Sequence, residues 1–366
     1  MLAVAAIMPL TPAQAQEKLT GNVSVSQTGA AVYSIPIEVP KGFGELKPSL
    51  SITYNSQSGN GLAGWGCNVT GISVITRSVM DECHEGQIWG IRYVDHDAYN
   101  LDGKRLLLSF GGSGQNNAEY CPDGDIRTVA VFHGSGSNIY FTVDTGDGLT
   151  YEYGTSADSR QTLSNPSAIS AWYLKRITNT LGQTIVYNYT TEGMYQYPES
   201  ITYGGNNAIY FEYETRPDAI PFVVRDQKSS ISKRLKSITA KVGNNIYRKY
   251  SLFYDTTSDA TTPKFSRLTE IKESGENGNS EHVLTADWNF LPAYSPTRND
   301  LAVNFQSDCD DCYFLSKDVT GNGYDDLIQV CSVTNEFPGY IDAYIYKASK
   351  TGTNIEYSSC PNYLGC

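Results

Sequence analysis

The chain has 366 residues and a formal charge of −12 at pH 7, from 27 Lys and Arg against 39 Asp and Glu. An acidic surface does not collect phosphate backbone, so the balance speaks against nucleic acid as a partner. With 27 Tyr and 33 Gly against 4 Met, composition points to strands and turns, and the length admits two domains with a core each.

Met1 to Leu10 is an apolar run too short to span a bilayer, and Ala13-Gln14-Ala15 has the small residues of an A-x-A cleavage site. Residues 1–15 are therefore expected to be a signal peptide, incomplete because it lacks the positively charged start, and the protein is expected to be secreted. Residue 16 is Gln, which gives no lipoprotein anchor, and no later stretch is long and apolar enough for a membrane helix. Eight cysteines in an exported chain read as disulfides, with a connectivity that spacing does not decide. Cys309-Asp310-Asp311-Cys312 is expected to close a local disulfide; a zinc site would need further ligands, and no His follows His282.

After a polar opening in which Val23 and Val25 alternate, Pro36, Pro40 and Pro48 confine the entry to edge or loop positions. Leu50 to Tyr54 alternates with period 2 and predicts a strand, Asn55 to Gly61 a reversal, and Val69 to Ile75 a second strand ending at Thr76-Arg77. The glycines at 64 and 66 leave room for backbone to close over Trp65, which predicts a buried indole.

Ser34-Ile35-Pro36-Ile37, then Pro40 and Gly42, then Pro48 with Leu50 to Ser56, then Gly59-Asn60-Gly61 with Gly64-Trp65, and then Ile72 to Arg77 come in an order that resembles the SpvB-type N-terminal domain. That domain opens the B component of Tc toxins and many RHS (YD-repeat) proteins. The departure is Gly66-Cys67, where the motif usually has an apolar residue straight after Gly-Trp. The resemblance implies a non-catalytic, all-β domain.

Asp81 to Asp97 is irregular. Leu101-Asp102-Gly103-Lys104-Arg105-Leu106 reads as a turn into a buried strand running to Leu108, and again resembles the family. Asp144 to Gly148 sits between two alternating runs and reads as hairpin turn chemistry, in preference to a metal cluster. Trp172 to Tyr189 resembles a YD-type strand-turn-strand unit, echoed at Ile201 to Tyr213 and Ile246 to Tyr254. Ser230 to Thr239 carries the one helical pattern. A Pro-bearing shift at Leu291 to Thr297 predicts a boundary: a β domain over 16–291, a linker over 292–300, and a truncated repeat region over 301–366.

In Asp318-Val319-Thr320-Gly321-Asn322-Gly323-Tyr324-Asp325-Asp326, the side chains of Asp318, Thr320, Asn322 and Asp326 with the Tyr324 carbonyl can surround one cation. The loop resembles the FG-GAP/VCBS repeat of integrin-like propellers, which implies a weak Ca2+ site; a metal-free glycine-rich turn has the same pattern. Catalytic motifs are missing: there is no G-x-S-x-G, H-E-x-x-H or Walker A. Glu212-Tyr213-Glu214 has the spacing of an ADP-ribosyltransferase pair, but alternation in Phe211 to Glu214 puts both carboxylates outside a strand, so no enzyme is expected.

The expectation is an all-β protein, hairpin-rich and continuing into the start of a propeller-like FG-GAP/VCBS region. The resemblance implies the structural shell or cap of a secreted RHS or Tc-toxin B-like protein that houses or helps deliver a C-terminal toxin segment. Its partners would be other toxin-complex or RHS-shell subunits or the rest of its own chain. The alternative is a cell-surface adhesion or glycan-binding β protein with exposed tyrosines and calcium-supported loops.

Overall fold

At Asp102-Gly103 both residues have positive φ, 49° and 83°, the combination that matches a two-residue hairpin to strand twist. The turn joins the strand Ala98–Leu101 to Lys104–Phe110. The Asp102 carboxylate also accepts from the Ser73 hydroxyl at 2.6 Å and the Val74 amide at 2.9 Å, which fixes the turn against the start of the strand Val74–Ser78.

The computed structural model describes residues 17–225, 227–255, 265–276 and 280–288 and the strands of 311–317, 326–332, 341–351 and 354–359. Within residues 74–179, eight strands close on themselves: Val74–Ser78, Ala98–Leu101, Lys104–Phe110, Glu119–Pro122, Val129–His133, Tyr140–Asp144, Leu149–Tyr153 and Ile169–Asn179. The last returns to the first, with Trp172 opposite Ile75. Closure removes both edges, which an open sheet would leave unpaired. Tyr99, Phe132, Phe141 and Trp172, each 0% exposed, fill the barrel. Tyr99 meets Tyr120, Phe132, Phe141 and Trp172 at centroid distances of 5.2 to 6.1 Å.

From Ile169–Asn179 the same sheet runs on through Thr184–Glu192, Tyr195–Tyr203, Asn207–Val224, Gln227–Val242, Asn245–Asp255, Arg267–Ser274 and Ser280–Thr285, and Glu17–Lys18 adds to the end in parallel. A second sheet of Asn22–Val25, Ala31–Pro36, Ser51–Asn55 and Cys67–Thr70 contributes Ile35, Ile52 and Cys67 to one core with Ile209, Tyr250 and Ile271. The two are pinned by Tyr203 donating to the Pro40 carbonyl at 2.9 Å and Tyr250 accepting from the Glu38 amide at 3.0 Å.

Several expectations need correction. Ser230 to Thr239 is strand, because pairing on both sides, Ile238 with Phe211 and with Tyr250, overrides its helical charge pattern. The one α-helix among the described residues, Glu82–Glu85, lies in the irregular 81–97 stretch, where the Asp81 carboxylate caps the His84 amide. Leu106 is buried, but Leu108 is 46% exposed where its strand runs past the core.

Trp65 is 38% exposed, resting on Phe265 with centroids 4.4 Å apart. The flanking glycines serve other approaches: a Cβ at Gly64 would stand 2.4 Å from the Ser266 carbonyl, and one at Gly66 2.6 Å from the Tyr54 ring. Cys67, Cys83 and Cys121 are free thiols, against the disulfide expectation for these three. Cys67 packs as a small apolar residue, and burial pushes its thiol up to about 12.

By compactness the chain divides into Met1–Trp288 and Asn289–Cys366. The described part of the second unit is a four-stranded antiparallel meander, Asp311–Lys317, Asp326–Ser332, Ile341–Thr351 and Asn354–Ser359.

Candidate functional site

Three places concentrate polar chemistry among the described residues of the first unit. The first is built on Arg216-Pro217-Asp218, in the strand Asn207–Val224, where register slips between Thr215 and Ile220 and the backbone is free to bend. Arg216 is fully buried and Asp218 is 6% exposed; Nε donates to Oδ1 at 3.0 Å. Arg216 also donates to the Gly61 carbonyl at 3.1 Å and to the Asn60 side chain. Asp218 accepts from Asn60 Nδ2 at 2.8 Å and from the Ser266 amide and hydroxyl at 2.6 and 2.5 Å. Burial alone would raise this carboxyl, but Arg216, Ser266 and Asn60 together hold it well below the usual carboxylate range. Every group here is satisfied from within the protein, so the cluster clamps the Asn60–Trp65 hairpin to the large sheet.

The second is a cleft of about 810 Å³ at one mouth of the barrel. Its floor follows from register: Tyr151 stands opposite Ile177, and Ile177 opposite Ile185. The 43–49 loop and the turn at 69–73 wall it, and Asp102 and Asp147 reach its rim.

A third polar feature lies inside the barrel. Arg77, with its side chain 1% exposed, pairs with Asp97 at 3.1 Å and donates to the carbonyls of Ile169 and Val94 at 2.6 and 2.5 Å. Its Nη2 has no hydrogen-bond partner among the described residues. The guanidinium instead lies 5.6 Å from the Tyr99 ring and 5.3 Å from Trp172, whose π faces attract it.

The Glu212 and Glu214 carboxylates are occupied separately. Glu212 accepts from the Ser237 hydroxyl at 2.9 Å and Glu214 from Arg234 Nε at 2.7 Å, with a bulge between Glu212 and Tyr213. Asp144 accepts from the Gly146 amide at 2.8 Å, and Asp147 from the Thr145 hydroxyl at 2.5 Å and the Leu149 amide at 3.0 Å, so these carboxylates organise their own turn. Among the described residues no three His, Cys, Asp or Glu side chains converge on a metal position. Asp318, Thr320, Asn322 and Tyr324 lie outside the described residues; Asp326 opens a strand, opposite Lys317, and its side chain is not described.

Sequence reasoning passed over Arg216, Asp218, Tyr151 and Tyr187 as site residues. The available signal was an Arg-Pro-Asp run inside a strand, where a proline and two opposite charges need a tertiary reason. For the tyrosines it was the Tyr-x-Tyr spacing at 151–153 and 187–189, which puts both rings of each pair on one face.

Fold and site together define an all-β scaffold whose charged and phenolic groups mostly hold strands to one another. The chain belongs to the SpvB family: the model described as Salmonella virulence plasmid 65kDa B protein matches residues 25–208. No curated protein matches by sequence. Among solved structures, the TcdB2-TccC3 crystal structure is similar with a TM-score of 0.66 at 16% identity, covering 97% of this chain and 21% of that one. The Tc holotoxin pore of Photorhabdus luminescens gives 0.65 at 15% identity, covering 98% and 20%. The N-terminal domain of the effector SpvB from Salmonella typhimurium strain LT2 gives 0.54 at 15% identity, covering 66% of this chain and 98% of that domain. This chain spans about a fifth of the two Tc chains, and the likeness is one of fold.

Proposed function

We propose that the chain is a non-catalytic part of the shell of a secreted, toxin-complex-like or RHS-like protein, which houses or helps deliver a toxic C-terminal segment. The observation that carries this reading is the overlap of 97% of the chain with one stretch of the TcdB2-TccC3 fold. The occupied carboxylates of Glu212, Glu214 and Asp218 support it, because each holds structure and leaves no free acid–base pair there. The partners would be shell subunits or further parts of the same polypeptide.

Two finer readings belong to this proposal. The meander in residues 311–359 has the strand number and order of one propeller blade, which supports a propeller-like FG-GAP/VCBS continuation. Asp318, Thr320, Asn322, Tyr324 and Asp326 would hold Ca2+ weakly between its first two strands. The adhesion alternative gains little from the tyrosines of the first unit: among its described residues only Tyr210 and Tyr247 are exposed, at 43% and 37%.

Native protein recovered from culture supernatant tests the proposal by electron microscopy and size-exclusion chromatography. A large hollow particle containing this chain is the expected result. A discrete monomer that binds immobilised glycans, or one that transfers ADP-ribose from NAD, would overturn it.

A further inference from the structure

The cleft at the barrel mouth has no part in the shell reading. Its floor is apolar, with Leu174, Ile177 and Ile185 at 2%, 8% and 1% exposure. Two phenols, Tyr151 and Tyr187, stand on it. Neighbouring tyrosines on this sheet tie their hydroxyls to backbone: Tyr189 donates to the Leu174 carbonyl at 2.6 Å, Tyr203 to Pro40 at 2.9 Å and Tyr213 to Pro198 at 2.7 Å. Tyr187 is only 3% exposed, yet its hydroxyl has no partner among the described residues and is not among the sealed, unsatisfied atoms of the core. It opens into the cleft. Burial pushes its pKa up, so it stays a neutral donor and acceptor.

The rim carries Glu45, Asp102 and Asp147 against Lys47, three carboxylates to one ammonium, a local balance of −2. Asp147 is ionised at neutral pH, because the Thr145 hydroxyl and the Leu149 amide hold its carboxyl down, and its Oδ2 accepts no hydrogen bond from the described residues.

We propose that this cleft binds an organic cation, a protonated primary amine carried on an apolar body. An ammonium has three donors and no acceptor, which suits the Asp147 carboxylate together with the two phenol oxygens. The apolar body buries against the Leu and Ile floor, and a barrel mouth of this volume is of the usual size for a small-molecule site.

Calorimetric titration of the secreted protein with hexylamine, hexanol and hexanoate tests this. Hexylamine should bind, hexanol more weakly and hexanoate not at all. Tyr187→Phe, which keeps the ring, and Asp147→Asn, which keeps an oxygen for Thr145 and Leu149, should each weaken hexylamine about tenfold, the scale of one charge-assisted hydrogen bond. Should Tyr187→Phe fail to fold, Asp147→Asn decides alone. Hexanoate binding as tightly as hexylamine, or both variants binding like the parent, would show that the cleft has no amine site. Binding of a methyl glycoside in place of all three probes would overturn the ligand class.

Discussion

Tyr99 stands edge-on to Trp172 at the centre of the barrel, with ring centroids 5.6 Å apart and planes at 70°. Tyr99 comes from the second barrel strand and Trp172 from the eighth, so this contact locks the closure that Trp172 and Ile75 make by register. The Trp172 indole also donates to the Ile139 carbonyl at 2.8 Å.

Trp172→Ala should therefore cost roughly 3 to 5 kcal/mol, the range for a fully buried large aromatic. Trp65→Ala, at a site 38% exposed, should cost about 1 kcal/mol, the worth of its contact with Phe265. Denaturant unfolding of both variants ranks them; equal losses would mean that the half-exposed hairpin matters as much as the barrel core.

The Arg216–Asp218 pair should govern acid stability. The Asp218 carboxyl is held below its unfolded value of about 3.9, so its contribution is fully present above that pH and is lost as pH falls toward the folded value. Asp218→Asn leaves Arg216 buried without its counter-charge and should lose about 3 to 5 kcal/mol at pH 7. The gap to the parent should narrow below about pH 4. Melting temperatures from pH 7 down to the onset of acid unfolding measure this, and a gap that stays constant with pH would refute it.

Gly64→Ala and Gly103→Ala separate close approach from backbone strain. Both glycines have positive φ, 99° and 83°. A Cβ at Gly64 meets the Ser266 carbonyl at 2.4 Å, whereas one at Gly103 meets nothing within 4 Å. Gly103→Ala should cost about 1 to 2 kcal/mol of left-handed strain; Gly64→Ala should cost clearly more, because the Trp65 amide must also give up its 2.7 Å bond to the Ser266 carbonyl. Chemical denaturation of the two variants decides.

Calcium at ten times its Kd should stabilise the unit beyond Trp288 by about 1.4 kcal/mol and leave the first unit unchanged. Asp318→Ala should remove that gain. Calorimetry with calcium and with chelator tests it; identical responses from parent and variant would make the 318–326 loop a turn only.

Local chemistry was legible in the sequence wherever a few consecutive residues decide the backbone. Asp102-Gly103 and the Asp144 to Gly148 turn were readable because positive φ and Asx hydrogen bonds are properties of a short segment. Alternation likewise announced the strands at Leu50 to Tyr54 and Leu149 to Tyr153, and the ordered run from Ser34 to Arg77 carried the family.

What alternation leaves open is which of two faces another part of the chain will cover. The glycines around Trp65 marked a close approach, but the surfaces approached, the Ser266 carbonyl and the Tyr54 ring, left the indole half outside, while Trp172 became the barrel's centre. Asn60 and Asp218 meet across 158 positions of sequence. The free hydroxyl of Tyr187 became distinctive only because Tyr189, two residues on, found the Leu174 carbonyl. Burial and pairing of this kind depend on segments brought together by strand register over long loops, a global property that no local window of residues contains.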